Sequence, residues 1–439
     1  MLPKLSVLTL YVVFSFSLLV NCAKTQTTTT DPTLHNQCHI MVEGDVYLAF
    51  IAEQLDVWTN AIILATTNIN NGGGIGSKSL QLGVITCDSN SEKLTAIDQV
   101  QKLGKDSTVV GIIGADRSSV TMGTAPTDYG VCLAAANSNI VSISHSSTHP
   151  DIKLIADDDY CYRTCASDEI QGKVHAKIIE SMQCSRVLYL SDRDDSYTTA
   201  LMHTVEEALS ASGRDDIQFV SSPFDLTSDY VKATTEALSS GDYDCLGSSL
   251  FSVHISPILN SLAANHELSE LKVLLGDAAH DTTLIDSLSL EALSRFESNN
   301  FIITKAGCSD RTAAFQDSYL TTFGEPDGYF SHSVFDAVYI FALAISASDD
   351  PYDRDAVRTT LINNDLQRGD LIDFSEWSTL KTTIQLKGEV NYVGASGDVD
   401  FLEGGDVHGN IWLSQIHDGK LIGHDTLGNC WSEQGTPVN

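Results

Sequence analysis

Three clusters of hydroxyl and carboxylate side chains each follow a short β-branched run, and together they span residues 111–172. The clusters lie at 111–119, 140–150 and 160–172. Where a buried strand is followed by a loop and a helix, such side chains lie at the carboxyl end of the sheet, which is where open α/β folds bind ligands. Serine hydroxyls and the free N–H groups of a helix start form an anion site. The clusters therefore predict a ligand site at one sheet edge.

The residue types in these clusters suit a ligand that carries both a positive and a negative charge. Asp168 can balance an ammonium group, and Tyr197 can supply an aromatic wall from a second part of the chain. Any one cluster also fits an ordinary loop, because loops are rich in Ser and Thr, but the recurrence of three favours a zwitterion site. The hydroxyls that we expect to contact the ligand and its carboxylate belong to Ser118, Ser119, Ser146, Ser147 and Thr148.

Other kinds of site have weaker signals. His145 and His149 are spaced to share a helix face and hold a metal, but their Ser- and Pro-rich surroundings favour a loop. The aspartates at 157–159 lack the glycine and terminal Glu of a calcium loop, which favours a solvated turn. Asp195 follows a predicted strand and either faces a cleft or caps the next helix. We therefore predict no bound metal.

The sequence lacks the usual motifs of nucleotide and hydrolytic chemistry. It contains no Gly-Lys-Ser/Thr phosphate loop near the glycines at 72–76. It also contains no Gly-x-Ser-x-Gly nucleophile elbow. We therefore expect a protein that is not an enzyme, with no catalytic residue and no cofactor.

Length and charge limit the classes of function. A chain of 439 residues is too long for one compact core and suits two lobes. The net charge is −33, from 58 acidic and 25 basic residues. Nucleic-acid binding requires a cationic surface, so this balance argues against it and favours a solvated, acidic surface.

The N-terminal residues resemble a secretory signal. Lys4 precedes an apolar run at 5–20, and no other apolar stretch approaches the ~18 residues of a membrane span. We assign 1–22 to a signal peptide and 23–37 to a flexible tether. Cys22 resembles a lipoprotein acceptor, although Asn21 stands where a small residue is usual, so lipidation and ordinary cleavage both stay open.

The ten cysteines indicate disulfides, because an exported chain meets an oxidising environment. The CxxxC spacing of Cys161 and Cys165 has no matching second pair, which makes a zinc site a weak alternative. If Cys22 is lipidated, at least one of the others stays unpaired. The sequence leaves the pairing open.

Behind these residues the chain alternates apolar strands with helices, which is the βαβ pattern of a parallel sheet. A stripe that includes Phe335, Tyr339 and Leu343 predicts a core-facing helix at 331–347. Residues 46–70 and 120–137 each predict one helix. Residues 365–390 interrupt the alternation and predict an inserted loop or small subelement. The two halves predict two similar α/β lobes. We expect strands at 80–86, 109–113, 140–144, 186–190, 217–220, 245–251, 272–276 and 301–304.

From about Cys38 onward the chain resembles periplasmic solute-binding proteins of the leucine/isoleucine/valine-binding type, whose relatives include the amino-terminal ligand domains of glutamate-type receptors. The order and spacing of several short segments carry the resemblance. The segments are Asn-Ile-Asn-Asn-Gly-Gly-Gly at 68–74, Gly-Ile-Ile-Gly at 111–114 with serines at 118 and 119, Ile-Ser-His-Ser-Ser-Thr-His-Pro at 143–150, Arg-Thr-Cys-Ala-Ser-Asp at 163–168 and Gly-Ala-Ser-Gly-Asp-Val-Asp-Phe at 394–401.

The resemblance implies an α/β fold of two doubly wound, Rossmann-like lobes joined by a three-stranded hinge, the type 1 periplasmic-binding-protein fold. It places lobe 1 at 38–165 and 304–388, and lobe 2 at 166–303 and 389–439. By position, the lobe 1 hydroxyls would hold an α-carboxylate, whereas Asp168 and Tyr197 would contact the amine or side chain. Ser249 and Asp277 are possible lobe 2 contacts, but the usual aromatic near 247–250 is displaced or missing.

The function implied is an extracytoplasmic solute-binding protein, periplasmic or a cell-envelope lipoprotein. It would capture an amino acid or similar small zwitterion for ABC-type import. Its partners would be an ABC permease or receptor membrane subunits, with membrane contact only through a lipid anchor. The alternatives are a sensory ligand-binding protein, an amide hydrolase on the same fold, and a surface protein that has kept only the fold.

Overall fold

The computed structural model describes residues 37–438 except 54, 124–128, 299 and 425. The predicted signal peptide, Cys22 and the tether before residue 37 lie outside the described residues. The strands are β1 (Cys38–Val42), β2 (Val46–Ala52), β3 (Leu82–Asp88), β4 (Val109–Gly114), β5 (Val141–Ser144), β6 (Cys161–Arg163), β7 (Arg186–Asp192), β8 (Gln218–Phe224), β9 (Cys245–Ser248), β10 (Lys272–Leu275), β11 (Phe301–Ala306), β12 (Leu371–Asp373), β13 (Asn391–Gly394), β14 (Gly397–Asp398), β15 (Ile411–His417), β16 (Lys420–Gly423) and β17 (Cys430–Trp431).

Helices connect most of these strands, and short 3-10 helices lie at Pro150–Leu154, His266–Leu268, Asp277–Ala279, Phe374–Glu376 and Glu403–Gly405. The α-helices are α1 (Leu55–Asn71), α2 (Lys93–Leu103), α3 (Ser118–Met122), α4 (Val131–Asn137), α5 (Asp168–Ser181), α6 (Ser196–Ala211), α7 (Tyr230–Ser240), α8 (Ser252–Ala263), α9 (Thr282–Ser287), α10 (Leu290–Phe296), α11 (Asp310–Phe323), α12 (Ser331–Ser346), α13 (Arg354–Ile362) and α14 (Trp377–Lys387).

The strands form two large sheets and one small one. The first sheet has the order β1-β3-β2-β4-β5-β6, and only β1 runs antiparallel to its neighbour. The second has the order β16-β15-β11-β10-β9-β7-β8, in which β7 to β11 are parallel and β15 and β16 antiparallel. The small sheet has the order β12-β13-β14. Two doubly wound sheets are the predicted α/β architecture.

Each large sheet carries apolar side chains on both of its faces. Such side chains are buried because helices cover each face. In β4, Val110 and Ile113 pack in the core that contains α1 and α12, whereas Val109 and Ile112 pack in the core that contains α2 and α4. The second sheet divides its buried residues between two cores in the same way. Burial on both sides explains why the strand segments read as continuous apolar runs.

Helix α12 is the most deeply buried helix of the first sheet, with all of its residues buried. Phe335 stacks on Tyr339 at 4.6 Å between ring centroids, and Tyr339 meets Trp377 of α14 edge-on at 5.5 Å. The predicted apolar stripe is therefore confirmed as core. The buried surface of the helix is wider than this stripe, because the other faces of the helix are covered as well.

Asp336 of α12 binds the loop between β13 and β14 through hydrogen bonds. Its carboxylate accepts hydrogen bonds from the Tyr392 hydroxyl at 2.7 Å, the Ala395 N–H at 2.7 Å, and both the N–H and hydroxyl of Ser396 at 2.7 and 2.5 Å. Burial raises the pKa of Asp336 to about 6, and these donors oppose the rise. A Cβ at position 394 would lie 2.6 Å from the same carboxyl group, so only glycine fits there.

Two predicted helices differ from the structure. The segment at 46–70 forms β2 first, and α1 begins only at Leu55. The single helix expected at 120–137 is divided into α3 and α4 (Gly123 has a φ of 88°, which interrupts α3). The subelement expected at 365–390 consists of β12, a 3-10 turn and α14, packed on the first sheet's core.

The chain passes between the two large sheets three times, after β6, after β11 and before β15. The core of the first sheet also contains Val390, Tyr392, Phe401 and Val407. This packing favours a last crossing near 407–411 rather than at 388, and the lobe boundaries stay a prediction.

Four disulfides join the described cysteines, which confirms the prediction of disulfides. They are Cys38–Cys87, Cys132–Cys161, Cys184–Cys245 and Cys308–Cys430. Cys165 is buried and unpaired among the described residues. Cys161 pairs with Cys132 rather than with Cys165, so the CxxxC spacing does not mark a site.

Gly172 allows α5 and α6 to pack closely, and we expect Gly172→Ala to lower the free energy of unfolding by about 1–3 kcal/mol. A Cβ there would lie 2.4 Å from Thr204 Oγ1 and 2.8 Å from the Thr204 carbonyl carbon. This overlap outweighs the gain in helix propensity of about 1 kcal/mol. Chemical denaturation measures the difference. Ser181→Ala, at the exposed end of α5, is the control, and a Gly172→Ala variant as stable as that control would contradict the packing argument.

Candidate functional site

The carboxyl ends of both large sheets face one cleft. In the first sheet β2 lies between β3 and β4, and in the second β7 lies between β8 and β9, so each sheet has a topological switch point. Glu53 follows β2, and Asp116 follows β4. Asp195 and Phe251 follow β7 and β9. All four line the cleft, which therefore lies where two doubly wound sheets both favour a ligand.

The cleft encloses about 180 Å³, and both apolar rings and charged groups form its wall. The rings are those of Trp58, Tyr197, Phe251, Tyr329 and Phe330. The polar side chains are those of Glu53, Asp116, Arg117, Ser118, Ser146, Asp195, Ser252, His254, Asp277, Asp281 and Thr283.

Arg117 spans the cleft from the first sheet to the second. Its Nη2 lies 2.8 Å from Glu53 Oε2, and its Nε donates to Ser91 Oγ at 2.9 Å. The same guanidinium lies 4.5 Å above the Phe251 ring, which belongs to the second sheet's side. An ion pair and a cation–π contact thus hold the two walls together at this point.

Asp277 and Tyr197 form the polar centre of the second wall. The Tyr197 hydroxyl donates to Asp277 Oδ1 at 2.5 Å and accepts from the Ala278 N–H at 3.4 Å. Burial and the two nearby carboxylates, Asp277 and Asp168, raise the pKa of Tyr197 well above its usual value. The phenol therefore stays neutral and acts as a donor to the carboxylate. Asp277 is 4% exposed and lines the cleft.

Asp168 lies behind this wall and forms a coupled pair with Asp277. Asp168 is fully buried at the start of α5. Burial, and then the charge of Asp277, raise the pKa of Asp168 well above its usual value, while Thr148 and Arg163 oppose the rise. Burial also raises the pKa of Asp277, against hydrogen bonds from Tyr197 and Gln171. Two like charges at such a site cannot both ionise freely.

The structure brings part of the predicted site together. Ser118, Ser146, Tyr197 and Asp277 all line the cleft. Ser146 Oγ donates to the Asp116 carbonyl at 2.9 Å, and Ser118 Oγ accepts from the His149 N–H at 3.3 Å. The predicted residues that the structure places off the cleft wall are Ser119, Ser147, Thr148, Asp168 and Ser249.

Some of these other hydroxyls hold the loops in place. Ser147 Oγ donates to the Ala115 carbonyl at 3.1 Å. Ser249 Oγ donates to the Leu190 and Thr198 carbonyls at 3.2 and 2.6 Å. Both hydroxyls therefore hold neighbouring backbone segments in place behind the cleft wall.

The two histidines weighed as metal ligands, His145 and His149, belong to none of the groups of three or more possible ligands found among the described residues. His145 is fully buried against the Trp58 ring at 4.5 Å, and burial lowers its pKa to about 3. His149 Nδ1 accepts from the Asp151 N–H at 3.1 Å. The groups that could hold a metal in the described chain are the exposed Glu297–His417–Asp418 set and one that includes the Cys184–Cys245 disulfide.

Several lining residues were not singled out from the sequence. Glu53 lies inside the segment at 46–70 that the apolar pattern predicts as helix, whereas the structure ends β2 at Ala52, directly before Glu53. Asp116 follows the predicted strand at 109–113, and that position was the available signal. Trp58 and Tyr329 lie 271 residues apart and meet through the Trp58 Nε1–H, which donates to the Tyr329 carbonyl at 2.8 Å. No local pattern indicates such a pair.

Residues 57–417, well over half of the chain, match the sequence pattern of the protein family described as the receptor family ligand binding region. The chain belongs to this family. A comparison with curated proteins finds no match.

Solved structures of solute-binding proteins share the family fold at low identity. A leucine binding protein, LivK, from Thermotoga maritima is 16% identical with a TM-score of 0.66, covering 87% of this chain and 98% of that one. LivJ from Streptococcus pneumoniae, in complex with isoleucine, is 17% identical with a TM-score of 0.66, covering 86% and 97%. A solute binding protein from Rhodopseudomonas palustris, in complex with p-hydroxybenzoic acid, is 13% identical with a TM-score of 0.66, covering 89% and 97%.

These matches confirm the predicted resemblance and the type 1 periplasmic-binding-protein fold. The fold is that of ABC-transporter solute-binding proteins, whose ligands vary among the similar structures. Proteins of this kind usually bind ligands without catalysis. Among the described residues, no helix has both the length and the apolar character needed to cross a membrane.

Proposed function

We propose that this protein is an extracytoplasmic solute-binding protein that captures an amino acid or a similar small zwitterion. The observation that carries the proposal is the Asp277–Tyr197 pair on one wall of the cleft with Ser118 and Ser146 on the other. A carboxylate suits an ammonium group, and the Ser118 hydroxyl, which accepts from the His149 N–H, suits a carboxylate by donating its own proton. A cavity of about 180 Å³ is small, which favours a ligand of amino-acid size.

Binding would work by enclosure. Loops from two sheets surround the cleft, and the chain crosses between those sheets three times, which is the arrangement of a hinge. Closure over a ligand expels water and pairs polar groups across the gap, which is the source of affinity in such sites. The contact of Arg117 with Phe251 supports a closed arrangement.

The location is supported by the cysteines, because four disulfides persist only in an oxidising compartment. A role in ABC-type import is supported by similar structures that are described as binding proteins of transporters. A sensory role with receptor membrane subunits is the second candidate, supported by the description of the matching family as a receptor ligand region. Permease and ATPase genes next to this gene would favour import.

A ligand screen tests the proposal. We expect amino acids or similar zwitterions to raise the melting temperature, because a ligand that binds only the native state stabilises it. Tyr197→Phe removes the hydroxyl that orients Asp277, so calorimetry should show affinity about five- to tenfold weaker. Tyr352→Phe is the matched control, since that hydroxyl donates to the Asp45 carbonyl away from the cleft and should leave affinity unchanged. A panel in which no zwitterion binds would refute the proposal.

A further inference from the structure

We propose that the ligand carries a second cationic group beyond its α-ammonium, so that the cleft selects basic zwitterions over neutral ones. This inference rests on the proposed function and names the class of ligand for the same cleft. It follows from the balance of charge on the wall and from one carboxylate oxygen that lacks a donor.

The wall of the cleft holds more acidic groups than one α-ammonium can balance. Arg117 is the only lysine or arginine among the lining residues, and it is already paired with Glu53. A neutral zwitterion would bring one positive and one negative charge, so the excess negative charge of the cleft wall would stay unbalanced. The carboxylates on the wall belong to Glu53, Asp116, Asp195, Asp277 and Asp281.

Asp116 provides the most specific observation. Its Oδ2 accepts from the Glu53 N–H at 3.3 Å, but its Oδ1 is buried and has no hydrogen-bond partner in the described structure. Unlike Asp195 and Asp281, Asp116 caps no helix, and the Glu53 N–H accounts for only one of its two oxygens. Buried polar atoms almost always have a partner, and a ligand in the cleft can supply one. A carboxylate oxygen needs a donor, and a cationic donor is the strongest.

The surroundings of Asp116 suit a cation. Tyr329 lines the same cavity as Asp116 and Asp281, and the charges of both carboxylates add to burial in raising the pKa of Tyr329. Tyr329 and Trp58 meet edge-on at 5.4 Å between centroids, and both rings line the cleft. Ammonium and guanidinium groups bind well beside aromatic faces. Asp116, Asp281 and these rings therefore form a second cation subsite, apart from the Asp277–Tyr197 pair.

Two simpler explanations account less well for these groups. A divalent metal requires ligand atoms close together, but the sets that meet this condition in the described residues contain none of the cleft carboxylates. The general acidity of the chain, with its net charge of −33, explains exposed carboxylates. It does not explain a buried oxygen without a donor on the wall of a cavity.

Calorimetry with the full chain tests the inference by comparing lysine with norleucine, which differs mainly by lacking the terminal amine. We expect lysine to bind about ten- to a hundredfold more tightly, since hydrogen bonds to charged groups have this strength. Asp116→Asn should remove most of this preference, measured as the ratio of the lysine and norleucine affinities. Asp349→Asn, at an exposed aspartate outside the cleft, is the matched control and should keep the preference.

Each outcome separates the inference from the proposed function. If norleucine binds as tightly as lysine to the wild-type chain, the second subsite is wrong and the zwitterion site stands. If Asp116→Asn weakens both ligands equally, Asp116 shapes the pocket generally, and the inference also fails. If neither ligand nor any other amino acid binds, the proposed function fails and the inference fails with it. The wild-type comparison does not depend on the folding of any variant.

Discussion

Arg163→Met is expected to lower the free energy of unfolding by about 3–5 kcal/mol, measured by chemical denaturation at pH 7. Arg163 is fully buried at the end of β6, where its Nη2 forms an ion pair with Asp406. Its Nη1 also donates to the carbonyls of Ser147 at 3.2 Å and His149 at 2.9 Å. The substitution would leave a buried carboxylate and two carbonyls without their partner.

The pH dependence of this loss has a definite sign. Burial raises the pKa of Asp406, and the neighbouring Arg163 opposes the rise. Without the arginine, the pKa of Asp406 in the folded variant should rise further above its value in the unfolded chain. A raised folded pKa means that stability is lost as pH rises through the interval between the two values. The variant should therefore be less impaired at acidic pH than at neutral pH.

Two further variants distinguish a buried ion pair from simple loss of packing. Arg163→Met combined with Asp406→Leu removes both charges and should recover part of the stability, because an apolar pair of similar volume can replace a buried ion pair. Arg311→Met breaks the ion pair with Asp373 at 2.9 Å, in which the arginine side chain is 51% exposed, and should change stability by less than about 1 kcal/mol. An Arg163→Met variant no weaker than Arg311→Met would show that the buried pair contributes little.

The elements could be predicted from the sequence because strands buried on both faces leave a strong local pattern. The segments expected at 109–113, 186–190 and 272–276 became β4 (Val109–Gly114), β7 (Arg186–Asp192) and β10 (Lys272–Leu275). Each follows from apolar periodicity and a flanking turn, which are properties of neighbouring residues. The break between α3 and α4 was missed, because it depends on the left-handed φ of Gly123 rather than on periodicity.

The candidate site could be predicted only in part, for a geometric reason. A polar cluster after a parallel strand identifies the sheet edge, and the cleft lies there. Which side chain of a loop turns toward the cleft is decided residue by residue, so Ser146 lines it while the adjacent Ser147 is turned to Ala115. The rings of Trp58 and Tyr329 lie far apart in the sequence and meet only in the folded chain, so no local sequence pattern indicates this pair.

Asp277→Asn is expected to weaken binding of an amino-acid ligand by about a hundredfold, as measured by calorimetry at neutral pH. Asp277 lines the cleft, and its carboxylate is the group that we propose to hold the α-ammonium. The amide keeps the shape and can still accept from the Tyr197 hydroxyl, but it brings no charge to balance the ligand. Asp286→Asn, at an exposed position away from the cleft, is the control, and equal affinity in the two variants would refute the role of Asp277.

The coupling of Asp277 to Asp168 adds a pH dependence to the same interaction. Both carboxyl groups have raised pKa values, chiefly through burial, and the charge of Asp277 adds to the rise at Asp168. The ligand-free pair therefore keeps a proton above the usual carboxyl range, and an arriving ammonium group favours its release. Affinity should increase as pH rises through this range, with protons released on binding.

The Asp168→Asn variant tests whether the titration of Asp277 depends on the charge of Asp168. Removing the second charge should lower the pKa of Asp277, so the increase in affinity should move to lower pH. The ligand-free variant should also be more stable than the wild type at neutral pH. A folded pKa above the unfolded value contributes stability only at low pH, and that contribution disappears as the pair ionises. Calorimetry and thermal melts between about pH 4 and pH 8 measure both effects, because carboxyl groups with raised pKa values titrate in this range. A binding profile identical to the wild type would show that Asp168 and Asp277 titrate independently.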